Sequence, residues 1–517
     1  MAKSYQELAQ LSDQLFKFQY PMLTLYQTLA DHFYPERADF TITRNVGQEF
    51  ADNLVDSYPV IVRRDLANAF NAMLRDGNWF NIATSDESLD RESNAWLQWA
   101  TQVQRKAMYK RSAGFNRSVK QGDHDFATFG QCVISLEMNR QRNGLLYRNW
   151  HLRDVAWRED DSGEVGDITR RWKPSNTDLK SIFGEKIHPK VAEACKKEPW
   201  GEVDVRHLVL RSEVYGDSKF EKYPYVSVFL DKTNDHIIEV TGLTNKYYVV
   251  PRFQTIAGQP YAYSPATVAG LPDARCLQAM THTLLEAGER YARPPIVATM
   301  QAVRGDVDLA PNGITWVDKE YDERLGAAMR PIFQNHGGFP IGLEMRGEIK
   351  NILASAFYLD KITMPNTGHE MTATETIERM KQYRRQALPL FMPVESEYNG
   401  QLCDITFDLM MQNNMFGSQH DLPLALRGRD VEFQFESPLT TSAEEKKVSQ
   451  FHQTAQLLQE AAQFDPTSVA NINLDEALRN AVKGTGAPEF WLNDPKQVAQ
   501  QRAQQQMQAA QEQAAAQ

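Results

Sequence analysis

The chain has 517 residues and a mass of 59.0 kDa, enough for about three domains of ordinary size. Hydrophobic residues make up 42% and charged residues 24% of it, which excludes a largely disordered chain. The formal net charge of −11 argues against a protein that grips nucleic acid over its whole surface, because such surfaces are basic. A protein that contacts DNA only briefly, or that lets DNA slide past it, is still compatible with this charge.

The sequence lacks the common signatures of metal binding, catalysis and membrane insertion. The four cysteines lie far apart, and the closest pair of histidines is His188 and His207, which excludes the short spacings of zinc sites. There is no phosphate loop and no nucleophile elbow. No apolar run reaches the roughly 18 residues that a membrane helix needs, and no export signal is expected. We therefore expect no cofactor, no metal, no membrane association and no enzymatic activity.

The first 130 residues are predicted to be helical. Residues 4–33 begin with Ser4 and Glu7, the spacing of a capping box, and continue with apolar residues three to four positions apart. Similar patterns predict helices over 52–74, 86–109 and 112–130, the last ending at Gly130.

The apolar period then changes to two, which predicts a mainly antiparallel β domain from 131 to about 255. Residues 231–235 have the composition of a hairpin loop between two strands, and 161–164 that of a turn. A helical insertion is expected around 177–197.

Two long helices are predicted next, joined by a compact module. The first follows Ser264-Pro265, and Pro272 either kinks it or marks its start. The module covers 295–333, and the second helix runs from about 341 to 359.

Residues 360–371 read as a loop, followed by a long helix over 372–416 that must bend at its two prolines. Residues 431–435 alternate as a strand and should return to the β domain, and 442–480 are predicted to be helical. Ten Gln and seven Ala fill the last 21 positions, so this tail is either helical or disordered.

Three segments of the sequence resemble parts of a known protein family. The run Tyr261-Ala-Tyr-Ser-Pro-Ala-Thr-Val-Ala-Gly-Leu-Pro-Asp-Ala-Arg-Cys-Leu-Gln-Ala-Met280 resembles a segment of podovirus head-to-tail connector (portal) proteins. Thr372-Ala-Thr-Glu375, before a kinked helix, and Phe33-Tyr34-Pro35, after the first helix, are similar to further elements of that family. Ala262 stands where the family often has Gly, which affects only the local turn.

The resemblance implies an α+β portal-type fold assembled as a ring of twelve subunits. Its regions would be a wing with a helical part and an antiparallel β-rich part, a stem of two helices, a clip between them, a tunnel loop and a helical crown. The implied boundaries are 1–260 for the wing, 261–290 and 341–359 for the stem helices, 291–340 for the clip, 360–371 for the tunnel loop, 372–441 for the kinked helix with its return strand, and 442–517 for the crown with the Gln/Ala tail.

The resemblance also implies a place and a set of partners. The ring would occupy one vertex of the capsid in the virion, after assembly in the host cytoplasm. Double-stranded DNA would cross its channel during packaging and ejection. The terminase large subunit, tail adaptor proteins, and the major capsid and scaffolding proteins would bind around it.

Candidate functional residues follow from these regions. In the tunnel loop we expect DNA to meet Lys361, Thr363, Asn366 and His369. In the stem, the channel residues would be Glu344, Glu348 and Lys350; with Arg346 their charges balance to zero, which suits a wall that holds DNA loosely.

Two further groups of charged residues carry weaker expectations. The acidic cluster of the clip comprises Asp318, Glu320, Asp322 and Glu323. It is either a binding surface for the packaging motor or the tail, where charge steers the encounter, or a solvated turn. Arg384 and Arg385 are expected to form ion pairs between subunits rather than to bind DNA.

Two other functions remain open from the sequence. One is a phage tail or scaffold-type structural protein without a DNA channel. The other is a soluble hydrolase whose catalytic groups meet only in the fold, against which the dispersed histidines argue.

Overall fold

The first helix, α1 (Tyr5–Phe33), has the predicted capping box at its N-terminus in the computed structural model: the Ser4 side chain accepts from Glu7 N, and Glu7 caps Ser4 N in return. The prediction for 4–33 is therefore confirmed. The structure describes residues 3–45, 47–52, 54–75, 77–84, 91–292, 296–298, 324, 329–331, 338–362, 391–392, 394–417, 422–428, 430–435, 442–464, 472–484, 493, 498, 501 and 504.

Three more helices precede the β domain: α2 (Tyr58–Leu74), α3 (Arg91–Met108) and α4 (Phe115–Phe129). The expected start of the second helix at Asp52 is wrong, since α2 begins six residues later. The reason is Pro59, which has no N–H to donate and fits the first turn of a helix, where none is needed. The residues directly before Tyr58 therefore lie outside the helix and can contact other elements of the fold.

Helix α4 ends at Gly130, as predicted. Gly130 has φ +78°, and a Cβ there would lie 2.4 Å from the carbonyl carbon of Tyr263. Only glycine can combine this left-handed backbone with so close an approach.

The predicted β domain is confirmed and comprises two antiparallel sheets. A three-stranded sheet has the order β3-β2-β9, and a five-stranded sheet has the order β4-β5-β6-β7-β8. The strands are β2 (Val133–Met138), β3 (Leu145–Trp150), β4 (Val155–Glu159), β5 (Val165–Trp172), β6 (Val205–Arg211), β7 (Tyr225–Asp231), β8 (His236–Leu243) and β9 (Tyr248–Val249). The predicted turn and hairpin loop join β4 to β5 and β7 to β8.

The five-stranded sheet is covered on both faces. The helical insertion consists of α5 (Asn176–Phe183) and α6 (Pro189–Lys197), whose apolar residues form a small core with Val205 and Ile238 of the sheet. Helix α1 covers the other face, where Leu8 packs with residues of β6 and β7.

The strand predicted at 431–435 forms as β12 (Glu432–Phe435), but its expected partner is wrong. It pairs with β1 (Phe80–Ala83), between α2 and α3, rather than with the β domain. The Trp79 ring stacks on Phe435, and Phe80 packs edge-on against Phe433, so aromatic contacts favour this pairing.

The remaining described elements are mostly helical. A π-helical turn (Ala266–Gly270) leads into α8 (Leu271–Ala292), so Pro272 marks the start of the helix rather than a kink. A further short helix, α7, spans Ser212–Tyr215. The rest are β10 (Ile296–Ala298), β11 (Met329–Pro331), α9 (Gly338–Ala356), α10 (Leu359–Ile362), a π-helical segment (Val394–Gly400), α11 (Gln401–Gln412), α12 (Ser442–Phe464) and α13 (Leu474–Gly484). The alternatives for the Gln/Ala tail lie largely outside the described residues.

One main hydrophobic core joins these elements. It includes fully buried residues of α1, α2 and α4, the three-stranded sheet, the base of α8 and α9, and α11. The α+β class predicted from the sequence is confirmed.

Candidate channel-forming site

Helices α8 and α9 form an antiparallel hairpin. Gly342 of α9 lies against Leu284 of α8, where an added Cβ would be 2.7 Å from the Leu284 Cδ2. At the other end of the pair, Gly270 lies against Phe357. Strands β10 and β11 continue the same register, with Ile296 opposite Pro331. At 1.5 Å per residue, these helices of 22 and 19 residues span about 33 and 28 Å.

Aromatic rings fasten the base of this hairpin to the end of α1. Phe357, fully buried just after α9, contacts the Phe33 ring at the end of α1, with 5.3 Å between centroids. A Cβ at Gly270 would lie 2.9 Å from Phe357 and 3.2 Å from Phe33. Leu277 of α8 and Leu353 of α9 are also fully buried. Small and aromatic residues together therefore fix where the hairpin leaves the core.

A single carboxylate, Asp56, ties both helices to the segment before α2. From α9, Lys350 Nζ lies 3.0 Å and Arg346 Nε 3.4 Å from Asp56 Oδ2. From α8, the Gln278 side-chain amide donates to Asp56 O (2.6 Å) and accepts from Asp56 N (2.9 Å), and Thr281 Oγ1 donates to Asp56 Oδ2 (3.3 Å). One buried anion thus organises three elements.

The surroundings of Asp56 keep its carboxyl ionised. Burial by itself raises the pKa of Asp56. The backbone N–H of Tyr58, which donates at 3.0 Å, and the cations of Lys350 and Arg346 outweigh burial and lower the pKa below its usual value.

The contacts of Asp56 divide the charges of α9 between two faces. Arg346 and Lys350 are partly buried and paired, whereas Glu344 and Glu348 are exposed. The balance of zero expected from the sequence therefore does not describe the exposed surface, which is acidic. Large apolar side chains are exposed along the same hairpin, namely Leu285, Tyr291, Ile341, Leu343, Met345 and Ile352.

Two residues after the end of α9, the backbone adopts a left-handed conformation. Tyr358 has φ +59°, which is unusual for a residue other than glycine and turns the chain into α10. Lys361 of α10 is exposed, with its Nζ 5.4 Å from the centre of the Tyr358 ring. The predicted loop over 360–371 is therefore wrong for residues 360–362, since Lys361 lies in the short helix α10, and the rest of that segment lies outside the described residues.

The other predicted site residues lie outside the described residues. They are Thr363, Asn366 and His369 of the loop, Asp318, Glu320, Asp322 and Glu323 of the clip, and Arg384 and Arg385. For the described stem residues, Lys350 is turned to Asp56 and the two glutamates to solvent.

The π-helical segment and α11 are held to the β domain by polar contacts. Around the π-helical segment, Glu397 accepts from the backbone N–H of Arg252 at 3.1 Å. Further along α11, Asp408 accepts from the Asn245 side chain at 2.8 Å. The hydroxyls of Tyr147 and Thr406 are 2.7 Å apart. These contacts support α11 against the β domain.

A buried ion pair completes that support. Arg75 of α2 donates through Nη1 to both oxygens of Asp123 of α4 (2.8 and 2.9 Å) and through Nε to Asn399 Oδ1 (2.8 Å). The guanidinium lies 4.4 Å from the Tyr398 ring centre. Burial raises the pKa of Asp123 to about 6, so the pair is ionised at neutral pH.

The sequence analysis missed both Asp56 and the Arg75–Asp123 pair. For Asp56 a signal existed: Asp56-Ser57 followed by Tyr58-Pro59, with the proline in the first helical turn, is typical of a helix start. For Arg75 and Asp123 none existed, because the partners lie 48 residues apart on helices whose packing alone brings them together.

Among the described residues, no group of three or more His, Cys, Asp or Glu side chains is placed so that it could hold a metal ion. None of the helices described is both long and apolar enough to cross a bilayer.

Comparison with known proteins identifies the family. The model of the family described as "Bacteriophage head to tail connecting protein" matches residues 5–492. The chain belongs to this family. The head to tail connecting protein resemblance that was inferred from residues 261–280 and 372–375 is thus confirmed.

Two phage proteins named as portal proteins are similar to this chain. The chain is 24% identical over 438 residues to the "Probable portal protein" of Bordetella phage BPP-1, covering 80% of this chain and 75% of that protein. It is 21% identical over 488 residues to the "Portal protein" of Salmonella phage epsilon15, covering 91% and 85%. A solved chain titled "Virion of native gene transfer agent (GTA) particle" aligns with a TM-score of 0.35 and 9% identity over 76% of this chain and 85% of that one; nothing is inferred from it.

Proposed function

We propose that this protein is the subunit of a phage portal, a ring at one capsid vertex through which the genome is packaged and ejected. The observation that carries the proposal is the match of the connector family over residues 5–492, with relatives named as portal proteins. The ring has twelve subunits, and the protein is a structural component of the virion rather than an enzyme.

The antiparallel hairpin of α8 and α9 is the stem in this proposal. It flanks the clip, predicted at residues 291–340, into which α8 extends as far as Ala292 and from which α9 begins at Gly338. The hairpin is fixed to the proposed wing through Phe357 at its base and through Asp56. The apolar side chains exposed along the hairpin would be covered by the neighbouring subunits of a ring. Such a set of side chains on a single chain is typical of a protein–protein contact.

The division of charge on α9 suits a channel that DNA must traverse without being held. B-DNA presents about one negative charge per 1.7 Å, and each phosphate that is neutralised adds affinity. With Arg346 and Lys350 paired to Asp56, the exposed charges of α9 are Glu344 and Glu348. A wall of this kind keeps the duplex centred and weakly bound.

In the region assigned to the tunnel loop (360–371), which begins within helix α10, Lys361, Thr363, Asn366 and His369 meet the DNA for short times. Tyr358, which precedes this region, has a left-handed backbone conformation, and α11, which follows it, is hydrogen-bonded to Asn245. These two elements would hold the region while it contacts DNA. Arg384 and Arg385 form ion pairs between subunits, and residues 442–517 form the crown.

The outer surfaces receive the partners. The terminase large subunit and later the tail adaptor proteins bind the clip, where Asp318, Glu320, Asp322 and Glu323 steer their approach. The major capsid and scaffolding proteins surround the ring, which assembles in the host cytoplasm.

The mass and symmetry of the purified particle test this proposal. One chain weighs 59.0 kDa, so light scattering separates a ring of about twelve subunits from a monomer without ambiguity. Electron microscopy of the same sample should show rings with an axial hole. A ring or fibre without a hole would favour the tail or scaffold-type alternative, and a monomer that stays monomeric at high concentration would contradict both.

A further inference from the structure

Two arginines lie side by side on the face of the five-stranded sheet that α1 covers. Arg171 of β5 and Arg206 of β6 are directly opposite each other in the antiparallel register. Both guanidinium groups lie over the ring of Phe16 of α1, at 3.8 Å for Arg171 and 5.2 Å for Arg206. Phe16 is 6% exposed, so the pair lies between a helix and a sheet rather than on an open surface.

The positive charge of this pair is poorly compensated within the described part of the chain. Arg206 is only 7% exposed, and its single ion pair there, from Nη2 to Asp204 Oδ2, is 3.5 Å long. Its Nε and Nη1 atoms, and the Nε of Arg171, are buried without a hydrogen-bond partner among the described residues. Burial and the neighbouring Arg206 lower the pKa of Arg171. Asp13, Asp154 and Asp204 attract Arg171, but no ion pair or hydrogen bond links them to it in the described structure.

This arrangement is unfavourable unless a further anion takes part. Like charges directly opposite on neighbouring strands destabilise a sheet, and buried guanidinium N–H groups without hydrogen-bond partners are costlier still. One phenylalanine ring offsets a small part of that cost. By comparison, the fully buried guanidinium of Arg75 donates to both oxygens of Asp123 and to Asn399, and only its Nη2 has no hydrogen-bond partner among the described residues.

We propose that Arg171 and Arg206 form a binding site for a small oxyanion, a carboxylate or a phosphate. The guanidinium group presents a planar fork of donors that matches two oxygens of such a group. Arg171 is partly exposed and gives access from solvent, while Arg206 supplies the buried charge. The source is either a free phosphate-type ion or the carboxylate of an acidic side chain from a bound protein. The site is independent of the channel and of the proposed function.

The test compares thermal unfolding of the full-length protein with and without anion. Inorganic phosphate and acetate are the two probes, each titrated at constant ionic strength maintained with sodium chloride. We expect phosphate, acetate or both to raise the unfolding midpoint of the wild type saturably, by about 2 °C or more. In Arg206→Met the shift should disappear, and without anion this variant should unfold at or above the wild-type temperature, because it lacks the uncompensated buried charge.

The controls separate the site from general effects of salt. Arg148→Met removes an exposed strand arginine that also lies over an aromatic ring, Trp150 at 5.3 Å, and should keep the full shift. A larger shift with phosphate identifies a free phosphate-type ligand, and an equal or larger shift with acetate identifies a protein carboxylate; both support the site. If Arg206→Met does not fold, Arg171→Met takes its place and should abolish the shift. A wild type without a saturable shift, or a shift that survives in these variants, would overturn the proposal.

Discussion

Lys350 Nζ lies 3.0 Å from Asp56 Oδ2, and this contact joins α9 to the segment before α2. Arg346 and Thr281 reach the same carboxylate oxygen, and Gln278 of α8 bonds the backbone of Asp56. The α8–α9 hairpin is therefore held by these polar contacts along one side, in addition to its apolar base.

Replacing Asp56 should loosen the stem. In Asp56→Asn, Arg346 and Lys350 lose their common anion and stay partly buried, and we expect a loss of about 1–3 kcal/mol in the free energy of unfolding. Hydrogen exchange within 271–292 and 338–356 should accelerate. Asp65→Asn, which removes an exposed carboxylate 3.7 Å from Arg64, should leave both measurements unchanged, and equal effects of the two variants would contradict the role of Asp56.

The carboxylate of Asp56 makes the free energy of unfolding depend on pH, and the sign of this dependence follows from its pKa shift. The pKa of Asp56 is lower in the folded protein than its ordinary value, so its contribution is complete above the unfolded pKa of about 3.9 and is lost as pH falls through the folded pKa. Stability measured by urea should therefore fall more steeply below about pH 4 in the wild type than in Asp56→Asn.

The Arg75–Asp123 pair should behave as a coupled buried unit. Arg75→Met leaves a carboxylate that is 2% exposed without its cation, at a cost of about 3–5 kcal/mol. The double variant Arg75→Met with Asp123→Leu removes both charges and should recover a large part of that loss. Urea unfolding of the wild type, the two single variants and the double variant measures the coupling. Additive single effects would show that the two side chains act independently.

Two glycines of the hairpin should respond differently to the same substitution. Gly270→Ala places a methyl group 2.9 Å from Phe357 and 3.2 Å from Phe33, two fully buried rings that cannot move apart, and should destabilise by about 2 kcal/mol. Gly342→Ala meets the end of the Leu284 side chain at 2.7 Å, which can change rotamer. It should cost less than about 1 kcal/mol or stabilise the helix. Thermal unfolding of the two variants measures the difference, and an order opposite to this one would show that the hairpin base is not tightly packed.

His124 gives a second pH dependence, in the range between pH 7 and pH 5. Burial and the cation of Arg63, whose Nη1 donates to the ring Nδ1 at 2.7 Å, lower the pKa of His124 to about 4. At this histidine the unfolded chain binds a proton near pH 6.5 and the folded protein does not, so the contribution of His124 to the free energy of unfolding falls as pH drops below 6.5, by up to about 2 kcal/mol at pH 5. In His124→Asn, which keeps an acceptor for Arg63, this decrease should be absent from urea unfolding curves. If the free energy of unfolding of the wild type changed with pH in parallel with that of His124→Asn, this would contradict a neutral His124 in the folded protein.

The exposed acidic face of α9 leads to a functional prediction that rests on the proposed function. Glu344→Lys with Glu348→Lys should add attraction for the phosphates of passing DNA and reduce the yield of filled heads on the order of tenfold. Glu193→Lys with Glu198→Lys, a reversal of two exposed charges in the helical insertion, is the matched control. Ring formation should be normal in both variants by electron microscopy, and normal filling in the first would show that these residues do not line the channel.

The sequence by itself determined the local elements and the family. The capping box at Ser4, the glycine after α4, the change of period near residue 131 and the two helices around the clip were all predictable, because each depends on residues close together in the chain. The segment Tyr261–Met280 was sufficient to suggest the family. The start of α2 was misplaced because the apolar pattern continues upstream of Pro59. That pattern does not indicate at which residue the first helical turn begins.

Only the tertiary structure decided which distant residues meet. The pairing of β12 with β1 rather than with the β domain, and the contact of Asp56 with Lys350, join residues about 300 or more apart in the chain. Alternation predicts a strand but not its partner, and a charge count predicts a neutral stem although its cations are bound to the wing. The free energy of such contacts comes from burial and charge pairing in the assembled fold, which no short stretch of sequence encodes.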